Sequence, residues 1–376
     1  MTQAAATNPQ TRSAVNTCIR EFDERDIPQV ADLHTRVFRP AGVVTARDRA
    51  RHRDYFATVF LDNPWPAPRL ASLVCEQDGR ISGFLGVVPR RMWLKGNHLL
   101  AAISSQFIVD PASHSALIAV QLAKAFLDGP QDLSIWDEAT DASRLIWEGL
   151  GGTTALLHSI YWTRPLRPAR LAVSLLRNRA GLASLASVAG PPSRLVDALA
   201  TRLRVSQMYQ ALPRTVGSDL GADIVLAHLP EFTTRDSLRV EYDDRTLDWL
   251  MERAASRRTD GHLHKRAVHD EQDLIGWYVY HLDGHGSADV LQVAATPASI
   301  GEVLDDLLYH AWRQGATAVT GRLDPRFMQA FSDKLCLFHR RGPWMLVSSR
   351  KPELVRPFQC GDVSFSRFDG EWCLGF

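Results

Sequence analysis

Glu76-Gln77-Asp78, followed by Ile81 and Gly83, recurs in this chain as Glu271-Gln272-Asp273, followed by Ile275 and Gly276. Further along, Pro111-Ala112-Ser113 closes an apolar run and opens a helix-like pattern, and Pro297-Ala298-Ser299 does the same in the second half. One repeated tripeptide carries little weight in a chain of 376 residues. Two in the same order, each with its flanking pattern, indicate a duplicated unit of roughly 150 residues, a common domain size.

The periodicity around these phrases gives each unit its elements. In the first unit Thr17 to Phe22 reads as a strand, and Asp26 as the cap of a helix carrying Val30, Leu33 and Val37 on one face. A second helix is expected from Ala46 to Phe60, with Arg47, Arg49, Arg51 and Arg53 on its polar side. Strands follow at Leu70 to Glu76 and Arg80 to Val88, with Gln77-Asp78-Gly79 as the hairpin turn. A separate hairpin is expected from Arg90 to Leu94 about Lys95-Gly96-Asn97. A strand then runs through Ala101 to Val109, followed by a helix from Ser115 to Leu127 and a strand at Leu133 to Trp136. A helix over Asp141 to Leu150 and a strand over Leu156 to Thr163 close the unit. The second unit repeats the order: a strand at Ile224 to His228, a helix at Arg245 to Ala255 and three strands between 263 and 295. Helix Gly301 to Arg313 and further strands up to 349 complete it.

Composition bounds the function. Hydrophobic residues make up 45% and charged residues 23%, which is ordinary for a globular chain, and the net charge of +1 gives no field that would favour nucleic acid. No apolar run reaches the ~18 residues of a membrane span, and the start lacks the regions of a signal peptide. A cytoplasmic location follows as the expectation. The five cysteines (Cys18, Cys75, Cys336, Cys360, Cys373) are widely spaced with no Cys-x-x-Cys, which suits reduced thiols, and no His or Cys spacing suggests a metal. Residues 164–204 hold eight arginines (Arg164, Arg167, Arg170, Arg177, Arg179, Arg194, Arg202, Arg204) against one acid, Asp197. Such a stretch is either a helical linker packed between domains or a basic surface lying against an anionic membrane at the inner face.

The order strand, helices, antiparallel strands, then strand–loop–helix and strand–helix resembles the GNAT superfamily of acyl-CoA transferases, in two fused units as in the N-myristoyltransferases. The fold class expected is therefore α/β (α+β), two tandem units, each a mixed and mostly antiparallel sheet flanked by helices. The expected divisions are a tail at 1–16, an N-terminal unit at 17–163, a connector at 164–204, a C-terminal unit at 205–350 and an aromatic tail at 351–376 docked on both. The resemblance implies acyl transfer from acetyl-CoA or a longer acyl-CoA, with no metal, to a small-molecule, amine or saccharide acceptor. The alternative is a catalytically inactive binding or scaffold pair, with a loose link to bacterial surface-polysaccharide synthesis.

The family's Gln/Arg-x-x-Gly-x-Gly/Ala loop cradles pyrophosphate on main-chain N–H groups at a helix N-terminus. Its positions here read His114-Ser115-Ala116-Leu117-Ile118-Ala119, where only Ala119 conforms. The resemblance accordingly assigns co-substrate contacts to Phe107, Ile108, Val109, Ser113, His114, Ser115, Ala116, Leu117 and Ala119. The place of the family's tyrosine acid holds Trp147, and its fourth-strand glutamate is missing from Ser104-Ser105-Gln106-Phe107. Asp137 and Glu138, at the end of the fifth strand, are the candidate carboxylates for polarising the acceptor, with helix capping as the alternative role. Phe376 is the third candidate, through its terminal carboxylate. Phe358, Phe365, Phe368, Trp372 and Phe376 make the tail too apolar to fray, and a docked terminus can present that group.

Overall fold

The computed structural model describes residues 17–38, 45–65, 67, 69–113, 115–177, 197, 210–233, 237–257 and 261–376. Strand β1 (Thr17–Glu21) leads into helix α1 (Ile27–Phe38) and helix α2 (Ala46–Phe60). The cap before α1 is Asp23 rather than Asp26. Asp23 accepts from Arg25 N–H, and Asp26 reaches back to the Asp23 N–H and pairs with Arg20 at 2.6 Å. Thr45 and Asp48 form a capping box at the start of α2.

Strands β2 (Leu73–Gln77), β3 (Arg80–Leu94) and β4 (Asn97–Val109) form one antiparallel meander. The separate hairpin expected at 90–97 is instead the far end of the β3–β4 hairpin, which pairs without a break from Leu94↔Asn97 to Gly86↔Ser105. Pro89 does not interrupt it. Helix α3 (Ser115–Leu127), strand β5 (Leu133–Ala139), helix α4 (Asp141–Gly149) and the short β6 (Thr153–Thr154) follow.

Strand β7 (Tyr161–Pro165) does not close the first sheet. It crosses to the second, pairing antiparallel with β13 (Ala318–Arg322) and β14 (Leu337–His339). In return β15 (Trp344–Ser348), late in the chain, inserts between β5 and β6. The two sheets thus exchange a strand. Sheet one runs β1-β2-β3-β4-β5-β15-β6, with two further short strands, β9 (Leu238–Val240) and β16 (Val363–Ser364), joined to it through β3. Sheet two runs β14-β7-β13-β12-β11-β10-β8, built from β8 (Val216–Asp219), β10 (Gly261–Asp270), β11 (Asp273–Asp283) and β12 (Ser287–Ala295) with the strands already named. Trp147 fixes the inserted strand: its indole donates to Val347 C=O at 3.1 Å. A Cβ on Gly152 would lie 2.0 Å from that ring, which leaves glycine as the residue that fits.

Residues 224–228, expected as a strand, fall within a helix, Ala222–His228, and the unit's opening strand is β8. The duplication is clearest where β12 enters the helix Ile300–Arg313. Pro297-Ala298-Ser299 begins two residues after β12 ends, as Pro111-Ala112-Ser113 begins two residues after β4. The other tripeptide marks equivalent hairpins but sits in them differently. Asp78 and Gly79 form the first turn, at φ 50 and 81, whereas Glu271, at φ 52, with Gln272 forms the second. The Glu-Gln-Asp phrases are therefore offset by two residues.

One apolar core runs through both units. It takes Phe56, Phe84 and Val88 from the first, Leu250, Trp277 and Leu291 from the second, and Phe365, Phe368, Trp372 and Leu374 from the C-terminal segment. That segment is a structural wedge, which explains its aromatic content.

Candidate active site

Strands β4 and β5 are parallel neighbours only at Ala101↔Leu133, Ala102↔Ser134 and Ile103↔Ile135. Beyond them the strands part. The cause is a bulge in β4: the register with β3 shifts between Phe84 and Gly86, and Gln106 takes φ 53. Gly86 faces the bulge, where a Cβ would meet the Phe60 ring at 2.3 Å and Ser105 C=O at 2.7 Å.

The gap between the strands holds the carboxylate of Glu371, the first residue of the short helix Glu371–Leu374. Gln106 N–H donates to one oxygen at 2.8 Å and the Trp136 indole to the other at 3.1 Å. Both bonds favour the ionised form, but burial outweighs them, and Asp137 and Glu138 add repulsion. The Glu371 carboxyl is pushed up to about 8. Phe107 stacks edge-on against Trp136 at 5.1 Å and walls the gap.

Asp137 and Glu138 hold the segment that delivers Glu371. Asp137 is buried, pairs with Arg322 at 3.0 Å and accepts the Glu371 N–H at 2.7 Å. Burial raises its pKa against the pull of Arg322. Gly370 lies so close that an added Cβ would sit 2.0 Å from the Asp137 carboxylate. Glu138 pairs with Arg367 at 3.0 Å, and Arg367 also grips Asp289 of the second unit. Asp369 accepts from Tyr242 and from Ser366, while its own C=O accepts from the buried Arg90 at 3.0 Å.

The terminal residue lies close by on the other face. Phe376 stacks on His52 at 4.2 Å, with His34 and Tyr55 around it and the Arg51 guanidinium 4.7 Å above the ring. His34 bonds the Gln106 side chain at 2.9 Å, and Tyr55 O–H donates to Leu374 C=O at 2.6 Å. The Phe376 ring is thus joined to the bulge through His34.

The expected co-substrate loop follows β4. Asp110 dominates it: Ala112 N–H donates to its carboxylate at 3.0 Å, and Ser113 N–H and Oγ–H donate to its C=O at 3.0 and 2.7 Å. Arg36 and Arg80 approach the same carboxylate at 3.1 and 3.4 Å. Ala116 and Leu117 are exposed on the first turn of α3, Ala119 and Ile108 are buried, and Val109 is half-buried. His114 lies outside the described residues, as does the side chain of Ser115.

Glu371, Gln106, Trp136 and Arg322 were not among the residues singled out from the sequence. One signal was present: Glu371 is the only charged residue in the last seven, which otherwise read Gly-Trp-Cys-Leu-Gly-Phe. A lone acid in so apolar a stretch is either mis-solvated or functional.

No protein-family profile matches this sequence, and no curated protein does. Solved structures do match. A conserved protein from Enterococcus faecalis V583, described as a probable N-acyltransferase, is 11% identical with a TM-score of 0.54, over 89% of this chain and 73% of that one. A GCN5-related N-acetyltransferase from Anabaena variabilis ATCC 29413 is 10% identical with a TM-score of 0.54, covering 88% and 72%. Another from Kribbella flavida is 14% identical with a TM-score of 0.50, covering 88% and 71%. The chain therefore has the GNAT fold, carried across both of its units. It is a mixed α/β molecule of two mostly antiparallel sheets flanked by helices.

Proposed function

We propose that the chain is an acyltransferase that moves an acyl group, acetyl in the first instance, from acyl-CoA to an amine or hydroxyl. Residues 17–163 supply most of the reacting half and residues 205–350 shape the acceptor side. The observation that carries this reading is Glu371: a buried carboxyl pushed up to about 8, at the bulge where two parallel strands part. That value suits a general base at neutral pH.

In this reaction the acceptor nitrogen or oxygen attacks the thioester carbonyl carbon while its proton passes to Glu371. The oxygen of the tetrahedral intermediate lies against the Gln106 main-chain N–H, which the carboxylate yields as the thioester enters, keeping the Trp136 indole as its partner. The C–S bond then breaks, and the CoA thiolate leaves with the proton held by Glu371. Asp137, bonded to the Glu371 N–H, positions the base. The terminal carboxylate of Phe376 is the rival base, and Asp137 and Glu138 are next in line. The N-terminus of α3, with Ser113, His114 and Ser115 and the nearby Arg36 and Arg80, is the proposed pyrophosphate contact. The cytoplasm is the proposed location, with residues 164–204 reaching the inner membrane face.

A second reading has an observation of its own. Glu371 already occupies the Gln106 N–H, and Asp110 already binds the N–H groups of Ala112 and Ser113. Such a filled site suits an inactive scaffold. Calorimetry and thermal shift with acetyl-CoA, longer acyl-CoAs and free CoA separate the two. Acyl-CoA should raise the melting temperature by mass action, and Ser115→Glu should weaken its binding by about tenfold or more. No acyl-CoA binding by the folded protein would overturn the transferase reading and leave the scaffold.

A further inference from the structure

Strands β12 and β13 repeat the geometry of the first unit. They are parallel neighbours from Ser287↔Ala318 to Val290↔Gly321 and then part. Leu291 is the bulge residue, since the register with β11 passes from Gln292 directly to Val290. Its C=O accepts the Phe368 N–H at 3.2 Å, so the C-terminal segment enters this gap too. Here it does not fill it. A cavity of about 90 Å³ remains between β12, β13 and residues 363–369, with Phe232, Phe327 and Phe331 forming its apolar side.

The polar side carries His158 and four arginines, Arg239, Arg322, Arg326 and Arg367. Their neighbours are fixed. Arg322 pairs with Asp137, and Arg326 with Asp324 and with Ser364 Oγ at 2.7 Å. His158 differs. It is 3% exposed, and among the described residues its Nε2 is buried with no hydrogen-bond partner. A buried ring nitrogen left unpaired is destabilising in a folded protein. Asp369, also lining the cavity, has its two oxygens taken up by Tyr242 and Ser366. The Asp324 carboxylate is held by the Arg326 fork. The unmet need on this wall is therefore a partner for His158 Nε2, which sits among guanidinium groups.

We propose that this cavity is a second binding site, one that takes the carboxylate end of a small molecule or of a larger acceptor, with His158 Nε2–H as the donor that receives it. A carboxylate accepts from an imidazole N–H and is drawn by the adjacent guanidinium groups, whereas an ammonium would be repelled. The volume suits a head of a few heavy atoms, since a cavity of ~150 Å³ takes a ring the size of benzene. Position adds a role. Arg322 lines the cavity and binds Asp137, and Asp137 binds the Glu371 N–H, so one ion pair separates this site from the proposed base. An acceptor anchored here by its carboxylate reaches toward the first unit. Calling the bound molecule the acceptor rests on the acyl-transfer reading; the binding itself does not.

The test uses the full chain with propionate as probe and propionamide, of the same shape without the charge, as control. Calorimetry and thermal shift are run on the wild type, on His158→Phe and on His158→Gln. Propionate is expected to bind the wild type and raise its melting temperature, with propionamide at least about tenfold weaker. His158→Phe is expected to lose propionate binding while melting at the same temperature or higher, because it removes an unpaired polar atom and keeps the volume. A purely structural histidine would give the opposite, a lower melting temperature. His158→Gln retains a donor and should keep measurable binding. Equal binding of propionate and propionamide, or no binding of either because water alone fills the cavity, would overturn the proposal. So would unchanged propionate binding in His158→Phe or, should that variant fail to fold, none in His158→Gln. Acetyl-CoA binding measured on the same samples reports on the acyl-transfer reading separately: its loss with propionate binding intact would leave this site standing.

Discussion

Glu371 and Gln106, 265 positions apart in sequence, meet at 2.8 Å across the gap between β4 and β5. The contact ties the end of the chain to the strand bulge on which the first unit's chemistry would depend. It exists because Asp137 and Glu138 of the first unit, with Arg322 and Asp289 of the second, clamp residues 367–371.

Glu371→Gln keeps the shape and removes the base. Turnover of acetyl-CoA should fall by ~100-fold or more with CoA affinity little changed. Adding one glycine after Phe376 moves the terminal carboxylate instead and should leave most activity. The reverse pattern in steady-state kinetics would move the base to Phe376.

The same group sets a pH dependence. The folded protein holds Glu371 up to about 8 against 4.5 for a free side chain, so folding favours its neutral form. Its contribution to stability is full below the free value and is lost as pH rises between the two. Activity runs the other way, rising through about 8 as the base ionises. Melting curves of the wild type should fall across this window, and those of Glu371→Gln should be flatter. Parallel curves would mean that Glu371 is not held neutral.

His158 acts in the opposite sense. Burial, with help from Arg322, pushes it down to about 4 from 6.5. The stability it permits is full above the upper value and is lost as pH falls to the lower. His158→Phe should lessen acid sensitivity in that window, read by thermal denaturation.

Gly370→Ala puts a methyl group 2.0 Å from Asp137. Overpacking of this kind costs ~1–3 kcal/mol, and it should displace Glu371 as well. Loss of activity larger than loss of stability, compared by denaturant titration and kinetics, is the expected result.

Arg322→Met leaves Asp137 buried and unpaired, at a cost of about 3–5 kcal/mol. The double replacement Arg322→Met, Asp137→Leu should recover much of that stability but not the activity, since the Glu371 N–H then has no acceptor. Full activity in the double variant would show that Asp137 does not position the base.

Much of the architecture is legible in local sequence. The Ala46–Phe60 and Ser115–Leu127 helices sit where the sequence pattern puts them. Pro111-Ala112-Ser113 and Pro297-Ala298-Ser299 mark the same junction in both units. The lone acid of the connector has a local consequence that is harder to see: Asp197 accepts the N–H groups of Ala169 and Arg170, both at 2.9 Å, at the start of helix Pro168–Arg177. Arg167 donates to Trp312 C=O at 2.8 Å and Arg164 is buried in β7. The side chain of Arg177 and the residues Arg179, Arg194, Arg202 and Arg204 lie outside the described residues.

The sequence by itself determined the period of most helices and strands, the duplication and the apolar C-terminal segment, because these depend on residues a few positions apart. Only the tertiary structure decided that β7 and β15 exchange sheets, because both are short strands with equivalent patterns and pairing energy does not record which unit a strand came from. It also decided that Glu371 enters the β4–β5 gap. That follows from ion pairs such as Asp137–Arg322 and Glu138–Arg367, whose partners are 185 and 229 positions apart. No local pattern encodes such a pairing.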